Sequence, residues 1–344
     1  MPSNHDTIRV GILGCGFMGE THAKNLSRIA GVEVAALCDA DAARAQALKE
    51  RLGLANTLVF DDADRLIAEG RLDALFVCLP PFAHRGQVEC AAGRGIHLFL
   101  EKPIALDVAR AESIVAAIER SGVVSQVGYH MRFRKSVARL QALLADGSAG
   151  RPTLFQGRYW CNMTGSAWWR DKAGSGGQVF EQVIHIYDLA LYLLGEPETV
   201  CGFADNLGHR HMADYTIDDT SVAAIRFRDG SLATIAGSNC ALPGHYIADF
   251  RVVCEHVLLD YRCTGRPWII PDEATLFCHA GEEVQAETIV ENDDAYLAEC
   301  EEFIAAIRAG RPTRAPARAG LDGVRLVSAV LESAAQGGAP IAYR

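Results

Sequence analysis

The sequence predicts an α/β protein of two domains: a Rossmann-type, doubly wound parallel sheet over residues 1–128, and an α+β domain with a mainly antiparallel open sheet over residues 129–344. Apolar runs alternate with helical patterns in the first part, and a glycine motif follows the first run. Shorter extended runs with a hairpin signal fill much of the second part. A length of 344 residues also exceeds what one ordinary core supports.

The strands expected in the first part are apolar throughout, as in a parallel sheet that is covered on both faces. They are Ile8–Leu13, Val32–Cys38, Ala74–Leu79, Ile96–Leu100 and Val123–Val127. Helical patterns lie between them, at Asp41–Leu52, Ala83–Arg94 and Asp107–Ser121. Helical crossovers between such strands predict a doubly wound sheet, and its ligands bind at the carboxyl edge.

The pattern changes after Gly128, where Arg132–Asp146 reads as a helix that Gly147 ends. Extended runs follow at Thr153–Cys161, Val200–Phe203, Thr220–Phe227, Leu232–Ser238 and Phe250–Leu259. Arg228-Asp-Gly230 is a hairpin signal between two of them. Two helices, Asp294–Ala309 and Ala319–Ala335, close the chain and could pack against either domain.

The composition describes a globular protein, with 49% apolar and 22% charged residues. A net charge of −10 argues against nucleic acid and anionic membranes as partners, because no basic stripe is present. Eleven cysteines without a CxxC pair favour reduced thiols in a cytoplasmic protein. We find no export signal and no apolar run long enough to cross a membrane.

The glycines Gly14, Gly16 and Gly19 form a GxGxxG motif between the first strand and a helix. The first allows a tight turn, the second lets the backbone approach a pyrophosphate, and the third lets the helix pack closely. The helix N-terminus would attract the phosphates. Asp39 follows by twenty positions, at the end of the second strand, where it would bind the adenosine ribose. We therefore predict a dinucleotide site; the alternative is an ordinary glycine-rich turn.

The charges after the second strand predict NAD rather than NADP. Asp39 and Asp41 would repel a 2′-phosphate, and no basic residue precedes Arg44. A distant arginine that folds back would weaken this preference.

Glu101-Lys102-Pro103 ends the strand Ile96–Leu100 at the carboxyl edge of the expected sheet. A lysine beside a dinucleotide crevice can polarise a substrate hydroxyl or carbonyl group. The alternative is a solvated Glu-Lys pair on the surface.

A glycine turn opens a helix over Val179–Leu194 that carries Glu181, His185 and Asp188 on one face. Carboxylates one turn on either side would raise the pKa of His185 and orient its ring as a general base. The alternative is a polar, solvated helix face. We predict no metal site, because a single histidine with helical carboxylates lacks specificity.

Aromatic and charged residues cluster just before this helix, a mixture that suits a polyhydroxylated ring. The candidates for substrate contact are Tyr159, Trp168, Trp169, Arg170, Asp171, Lys172 and, on the helix, Asp188. The alternative for the tryptophans is a place in the core at a domain interface.

These motifs in this order resemble the glucose–fructose oxidoreductase / inositol dehydrogenase / MocA family over nearly the whole chain. Three motifs carry the resemblance: the GxGxxG motif, Glu101-Lys102-Pro103, and the pair Gly176-Gly177 followed by Glu181, His185 and Asp188. It also includes His22, Pro80-Pro81-Phe-Ala-His84 and Gly128-Tyr-His-Met-Arg-Phe133.

The resemblance implies NAD(P)-dependent oxidation of a ring secondary alcohol in a sugar or cyclitol, or the reverse reduction. It implies that Lys102 lies near the nicotinamide, that Glu101 contacts the nicotinamide ribose, and that His185 takes the hydroxyl proton. The family commonly has Asp four positions before this histidine; here Glu181 takes the place, so its role is open. The implied cofactor contacts are Gly14, Gly16, Phe17, Met18, Asp39, Leu79, Pro80, His84, Glu101 and Lys102.

Two other functions stay open from the sequence. Some relatives hold NAD permanently and cleave glycosides by transient oxidation and elimination, and others bind NAD as regulatory proteins without chemistry. We expect a homodimer or homotetramer formed through the sheet of the second domain, although loops could equally cover that face.

Overall fold

The computed structural model describes residues 7–265, 271–280, 283–292 and 294–344. Contacts between backbones divide the described part of the chain into two compact units. The first comprises the residues up to Ala105 with Ala109–His130 and Asp294–Leu321. The second comprises Leu106–Val108, Met131–Asp293 and Asp322–Arg344. The expected division into 1–128 and 129–344 stays a prediction.

The first unit contains a six-stranded parallel sheet, which confirms the predicted doubly wound fold. Its strands are β1 (Ile8–Leu13), β2 (Val32–Cys38), β3 (Leu58–Phe60), β4 (Ala74–Val77), β5 (His97–Leu100) and β6 (Ser125–Val127). The order is β3-β2-β1-β4-β5-β6. The chain therefore changes direction across the sheet between β1 and β4, the place where ligands bind in such sheets.

Five helices connect these strands: α1 (Phe17–Leu26), α2 (Ala42–Leu52), α3 (Ala63–Glu69), α4 (Gln87–Gly93) and α5 (Val108–Ser121). The sequence reading missed β3 and α3, since three strand residues are too few to show a pattern. The helix expected over Ala83–Arg94 begins only at Gln87. Gly86, at φ +107°, separates it from a 3₁₀ turn at Pro81–Ala83.

The second unit contains a nine-stranded sheet in the order β14-β13-β12-β11-β7-β10-β9-β8-β15. Its strands are β7 (Pro152–Trp160), β8 (Pro197–Asp205), β9 (Thr220–Phe227), β10 (Leu232–Ser238), β11 (Ile247–Cys254), β12 (Val257–Arg262), β13 (Asp272–Ala280), β14 (Glu283–Glu291) and β15 (Ile341–Ala342). All neighbours pair antiparallel except β7 with β10, which confirms a mainly antiparallel sheet.

Gly230, at φ +89°, closes the β9–β10 hairpin that the sequence predicted, and its amide donates to the Phe227 carbonyl at 3.0 Å. The single run expected over Phe250–Leu259 is wrong, because the chain reverses at the exposed pair Glu255 and His256 between β11 and β12. Strands β13 and β14 were not predicted. Most of β14 is exposed, so it lacks the apolar alternation of a half-buried strand.

The remaining helices are α6 (Lys135–Ala145), α7 (Ala167–Arg170), α8 (Lys172–Ser175), α9 (Ile184–Leu194), α10 (Ala295–Ala309) and α11 (Ala317–Ala335). Helix α10 packs against α1 and adds Cys300, Phe303 and Ile304 to the core of the first unit. The boundary between the units falls inside α11, after Leu321. Among the helices of the described residues, none is long and apolar enough to cross a membrane.

Candidate functional site

The turn between β1 and α1 is a place of very close backbone approach. Gly14 has φ +94°, and a Cβ atom there would lie 2.5 Å from the Cys78 carbonyl oxygen. A Cβ atom on Gly19 would lie 1.9 Å from the Gly14 carbonyl oxygen. A Cβ atom on Gly16 would meet no atom of the described residues within 4 Å. The turn therefore has no space for a side chain at Gly14 or Gly19, whereas the backbone at Gly16 is open at the start of α1.

Asp39, at the end of β2, is buried and braces this turn. Its Oδ2 accepts from the Cys15 amide at 2.9 Å, and its Oδ1 accepts from the Asp41 amide at 3.0 Å. The guanidinium of the exposed Arg44 lies 3.6 Å from Oδ1. Sequence reasoning placed Asp39 at a ribose but missed that its carboxylate also fixes the glycine turn.

The other residues expected to contact the cofactor also belong to the first unit. Phe17 is 82% exposed beside the glycine turn, and Met18, Leu79 and Pro80 are half-buried. His84 is buried, and its burial lowers the pKa of the imidazole, which favours the neutral ring.

Glu101 and Lys102 follow β5 at the carboxyl edge of the sheet. Since β5 pairs with β4 and β4 with β1, they end at the same edge as the glycine turn. Glu101 is buried, Lys102 is half-buried, and the Lys102–Pro103 peptide bond is cis. Glu101 Oε1 lies 2.7 Å from Nε2 of His22, a buried residue of α1. That contact was not predicted, because nothing in the spacing of the two residues indicates it.

In the second unit, His185 lies in α9 and is 5% exposed, with the Tyr159 ring stacked at a centroid distance of 6.3 Å. Glu181 is buried in a π-helical turn, Val179–Val183, that precedes α9. The α-helical spacing that would place Glu181 and His185 on one face therefore does not apply between them. A π-helical turn of this kind is frequent at functional sites.

Asp188 is fully buried and binds Arg132 through both carboxylate oxygens, at 2.8 Å from Nε and 2.6 Å from Nη2. Burial raises the pKa of Asp188 to about 6, and the Arg132 guanidinium opposes that rise. The guanidinium also lies over the Tyr192 ring at 4.4 Å. Arg132 thus attaches the turn His130–Phe133 to α9, a role that its place in the sequence did not reveal.

The cluster before α9 is largely engaged with the loop that follows β8. Trp169 is 2% exposed and packs with Tyr215, Ile217 and the half-buried Trp168. Arg170 binds Asp214, Lys172 lies 3.7 Å from Asp218, and Asp171 caps α8 at the Ala173 amide. The expected substrate residues 168–172 thus lie together, and several of them contact the loop after β8. Their role in substrate binding stays a prediction.

The first unit fits a bound dinucleotide. The open backbone at Gly16 meets the N-terminus of α1, where peptide dipoles favour phosphates, and a carboxylate stands at the end of β2. Fold and site together describe a dinucleotide-binding protein.

The family follows from two matches. Residues 8–129 match the model of the GFO/IDH/MocA oxidoreductase family with an NAD-binding Rossmann fold, and residues 137–259 match the C-terminal domain model of the same family. The chain belongs to this family of NAD-binding oxidoreductases, which confirms the resemblance in the sequence.

Similar proteins include a myo-inositol 2-dehydrogenase of Thermotoga maritima, 27% identical over 332 residues that cover 92% of each chain. An inositol 2-dehydrogenase of Rhizobium meliloti is 27% identical over 339 residues, 96% of this chain and 98% of the other. A levoglucosan dehydrogenase, solved with NADH and L-sorbose, has the same fold, with a TM-score of 0.88 at 19% identity over 98% and 99% of the two chains.

Proposed function

We propose that this protein oxidises a secondary alcohol on the ring of a sugar or cyclitol with NAD, or catalyses the reverse reduction. The observation that carries the proposal is the position of Lys102 at the sheet edge that also bears the glycine turn. Two relatives along almost the whole chain are inositol dehydrogenases, which supports the substrate class.

The dinucleotide would be held by the turn Gly14–Gly16 with Phe17 and Met18, by Asp39 at the adenosine ribose, and by Glu101 at the nicotinamide ribose. Leu79, Pro80 and His84, which follow β4 in the chain, would complete the cofactor contacts. The bound NAD supplies the hydride acceptor.

His185 would accept the hydroxyl proton of the substrate as the carbon–hydrogen bond breaks, and would return it in the reverse direction. Lys102 would donate a hydrogen bond to the same oxygen, stabilising the negative charge that develops there. Glu181 would orient the imidazole or contact the substrate. The Tyr159 ring beside His185 offers an apolar face for the C–H side of a sugar ring.

We also propose that the enzyme is a cytoplasmic homo-oligomer that associates through the sheet of the second unit. Phe203 and Val222 are 58% and 50% exposed there, on strands β8 and β9. Exposed apolar side chains on adjacent strands favour association with another surface.

The test is a spectrophotometric screen of NAD and NADP against inositols, aldoses, uronates and glycosides. We expect NAD to be reduced to NADH with at least one inositol or aldose, and NADP to be reduced to NADPH more slowly. If every polyol fails while aryl glycosides are cleaved without net NADH, the protein is a glycosidase that uses NAD transiently.

A further inference from the structure

Three titratable side chains meet in the interior of the first unit, behind the carboxyl edge of its sheet. They are His22 from α1, Glu101 after β5 and Glu299 from α10, all buried. One nitrogen or oxygen atom of each lies within 4.8 Å of the other two. Such groups are rarely buried together unless they are paired, so their arrangement needs a reason.

The ring of His22 contacts two aromatic rings, and each of its nitrogens has a polar neighbour. Phe99 meets it edge-on at a centroid distance of 4.8 Å, and Phe76 lies at 5.3 Å. Its Nδ1 lies 3.4 Å from Cys300 Sγ, and its Nε2 lies 2.7 Å from Glu101 Oε1. These packed neighbours set the position of Nε2.

The carboxylate of Glu101 is therefore held at both oxygens. Oε1 meets His22, and Oε2 accepts from the Lys102 amide at 3.3 Å. The group also lies directly on Gly128, where a Cβ atom would come within 2.9 Å of Oε1. His22 is therefore one of three neighbours that constrain the position of the Glu101 carboxylate, with the Lys102 amide and Gly128.

Glu299 completes the cluster without competing for His22. Neither of its carboxyl oxygens has a hydrogen-bond partner among the described residues. Burial raises its pKa well above the usual range, and the nearby Glu101 carboxylate adds to this effect.

We propose that His22 is a positioning residue for Glu101, which it holds against the Lys102 amide so that the nicotinamide half of the dinucleotide binds tightly. This proposal rests on the proposed function, in which Glu101 contacts the nicotinamide ribose. Side chains of the types in this cluster, His22, Glu101 and Glu299, can also bind a divalent cation. The distance of 2.7 Å between His22 Nε2 and Glu101 Oε1, however, is that of a hydrogen bond.

The test compares the binding of NADH and ADP to His22→Leu and His22→Gln by isothermal titration calorimetry. ADP lacks the nicotinamide and its ribose, so it reports on the glycine turn and Asp39 alone. We expect His22→Leu to raise the Kd of NADH about tenfold and that of ADP by less than about twofold. Glutamine can donate from the position of Nε2, so His22→Gln should keep the NADH Kd within about threefold of the wild type.

His97→Leu is the matched control, because His97 is a half-buried histidine of the same unit that bonds the Val124 amide at 3.0 Å. It should change the Kd of neither ligand by more than about twofold. Equal losses for NADH and ADP in His22→Leu, or no loss for NADH, would overturn the proposal. So would one equivalent of zinc or iron in the purified protein that Glu299→Gln removes, since the three residues would then be metal ligands.

These outcomes are separate from those of the substrate screen. If the wild type binds NADH but oxidises no polyol, the proposed substrate class fails, while the titrations still decide the role of His22. Selective loss of NADH binding in His22→Leu would support the positioning role in either case.

Discussion

At the scale of single residues, we expect Asp39 to determine the choice of cofactor in the first unit. Its carboxylate braces the Cys15 amide and lies 3.6 Å from the guanidinium of Arg44. Asp39→Asn keeps an oxygen for the amide but removes the charge that would repel a 2′-phosphate. Arg44 is then available to that phosphate. We expect the ratio of NADPH to NADH affinity to rise at least about tenfold.

Fluorescence titration with both reduced cofactors measures this ratio. Glu50→Gln is the control, because it removes an exposed charge from the last turn of α2, where Glu50 accepts from Gln46, and leaves Asp39 and the glycine turn unchanged. An unchanged ratio in Asp39→Asn would show that the preference arises elsewhere.

Asp219 shows how one buried carboxylate organises a loop of the second unit. Its oxygens accept from the amides of Leu207, Gly208 and His209, and from the His209 ring at 3.0 Å. Burial raises its pKa, but these hydrogen bonds outweigh that effect and bring it to about 2. A lowered pKa means that Asp219 stabilises the fold above about pH 4 and loses this effect as the pH falls toward 2.

Asp219→Asn should therefore lower the free energy of unfolding at pH 7 by about 2 kcal/mol. Urea unfolding at pH 7, 4 and 3 measures the difference from the wild type, which should shrink at the lowest pH. Asp214→Asn, which removes an exposed carboxylate that pairs with the half-buried Arg170, should have a much smaller effect. A difference for Asp219→Asn that grows toward pH 3 would contradict this role.

At the scale of elements, the contact of α1 with the sheet depends on a single glycine. A Cβ atom on Gly19 would overlap the Gly14 carbonyl, whereas Gly16 has free space. Gly19→Ala should destabilise the first unit by about 2 kcal/mol or more. Gly16→Ala should leave stability unchanged but weaken NADH binding, because the added methyl group would meet the pyrophosphate.

Thermal unfolding and NADH titration of the two variants separate these effects. If Gly16→Ala binds NADH as tightly as the wild type, the pyrophosphate does not lie on this turn.

The helix that bears His185 depends on a buried ion pair. Arg132→Met should lower stability by about 3 kcal/mol or more, because the fully buried Asp188 would lose its counter-charge. The double variant Arg132→Met, Asp188→Leu removes both charges and should recover much of that loss. Melting temperatures measure both, and a double variant that is no more stable than Arg132→Met would contradict the pairing.

Elements with a strong local signal were predictable, and those defined by distant contacts were not. The glycines, the apolar strands and the Gly230 hairpin could be identified because backbone sterics and burial show in their own residues. Strand β14 could not, because its exposed residues lack an apolar alternation, and the bonds of His22 and Arg132 could not, because their partners lie far along the chain. The π-helical turn at Glu181 was also hidden, since its apolar pattern is that of an α-helix.

At the scale of the whole molecule, each unit supplies one of the two groups to which we assign chemistry. Lys102 belongs to the unit with the dinucleotide fold, and His185 to the unit with the large antiparallel sheet. The first unit contains almost all of the residues that match the NAD-binding family model. That the second unit binds the substrate is our proposal.

The most direct measurement is the steady-state rate of NADH formation by Lys102→Met and His185→Gln, with the best polyol of the screen. We expect kcat/KM to fall about 10³-fold or more in each variant, since each removes a group that handles the reacting oxygen. The Kd of NADH should stay within about threefold of the wild type. Retained turnover in both variants would contradict the assignment of oxidation chemistry to these two residues.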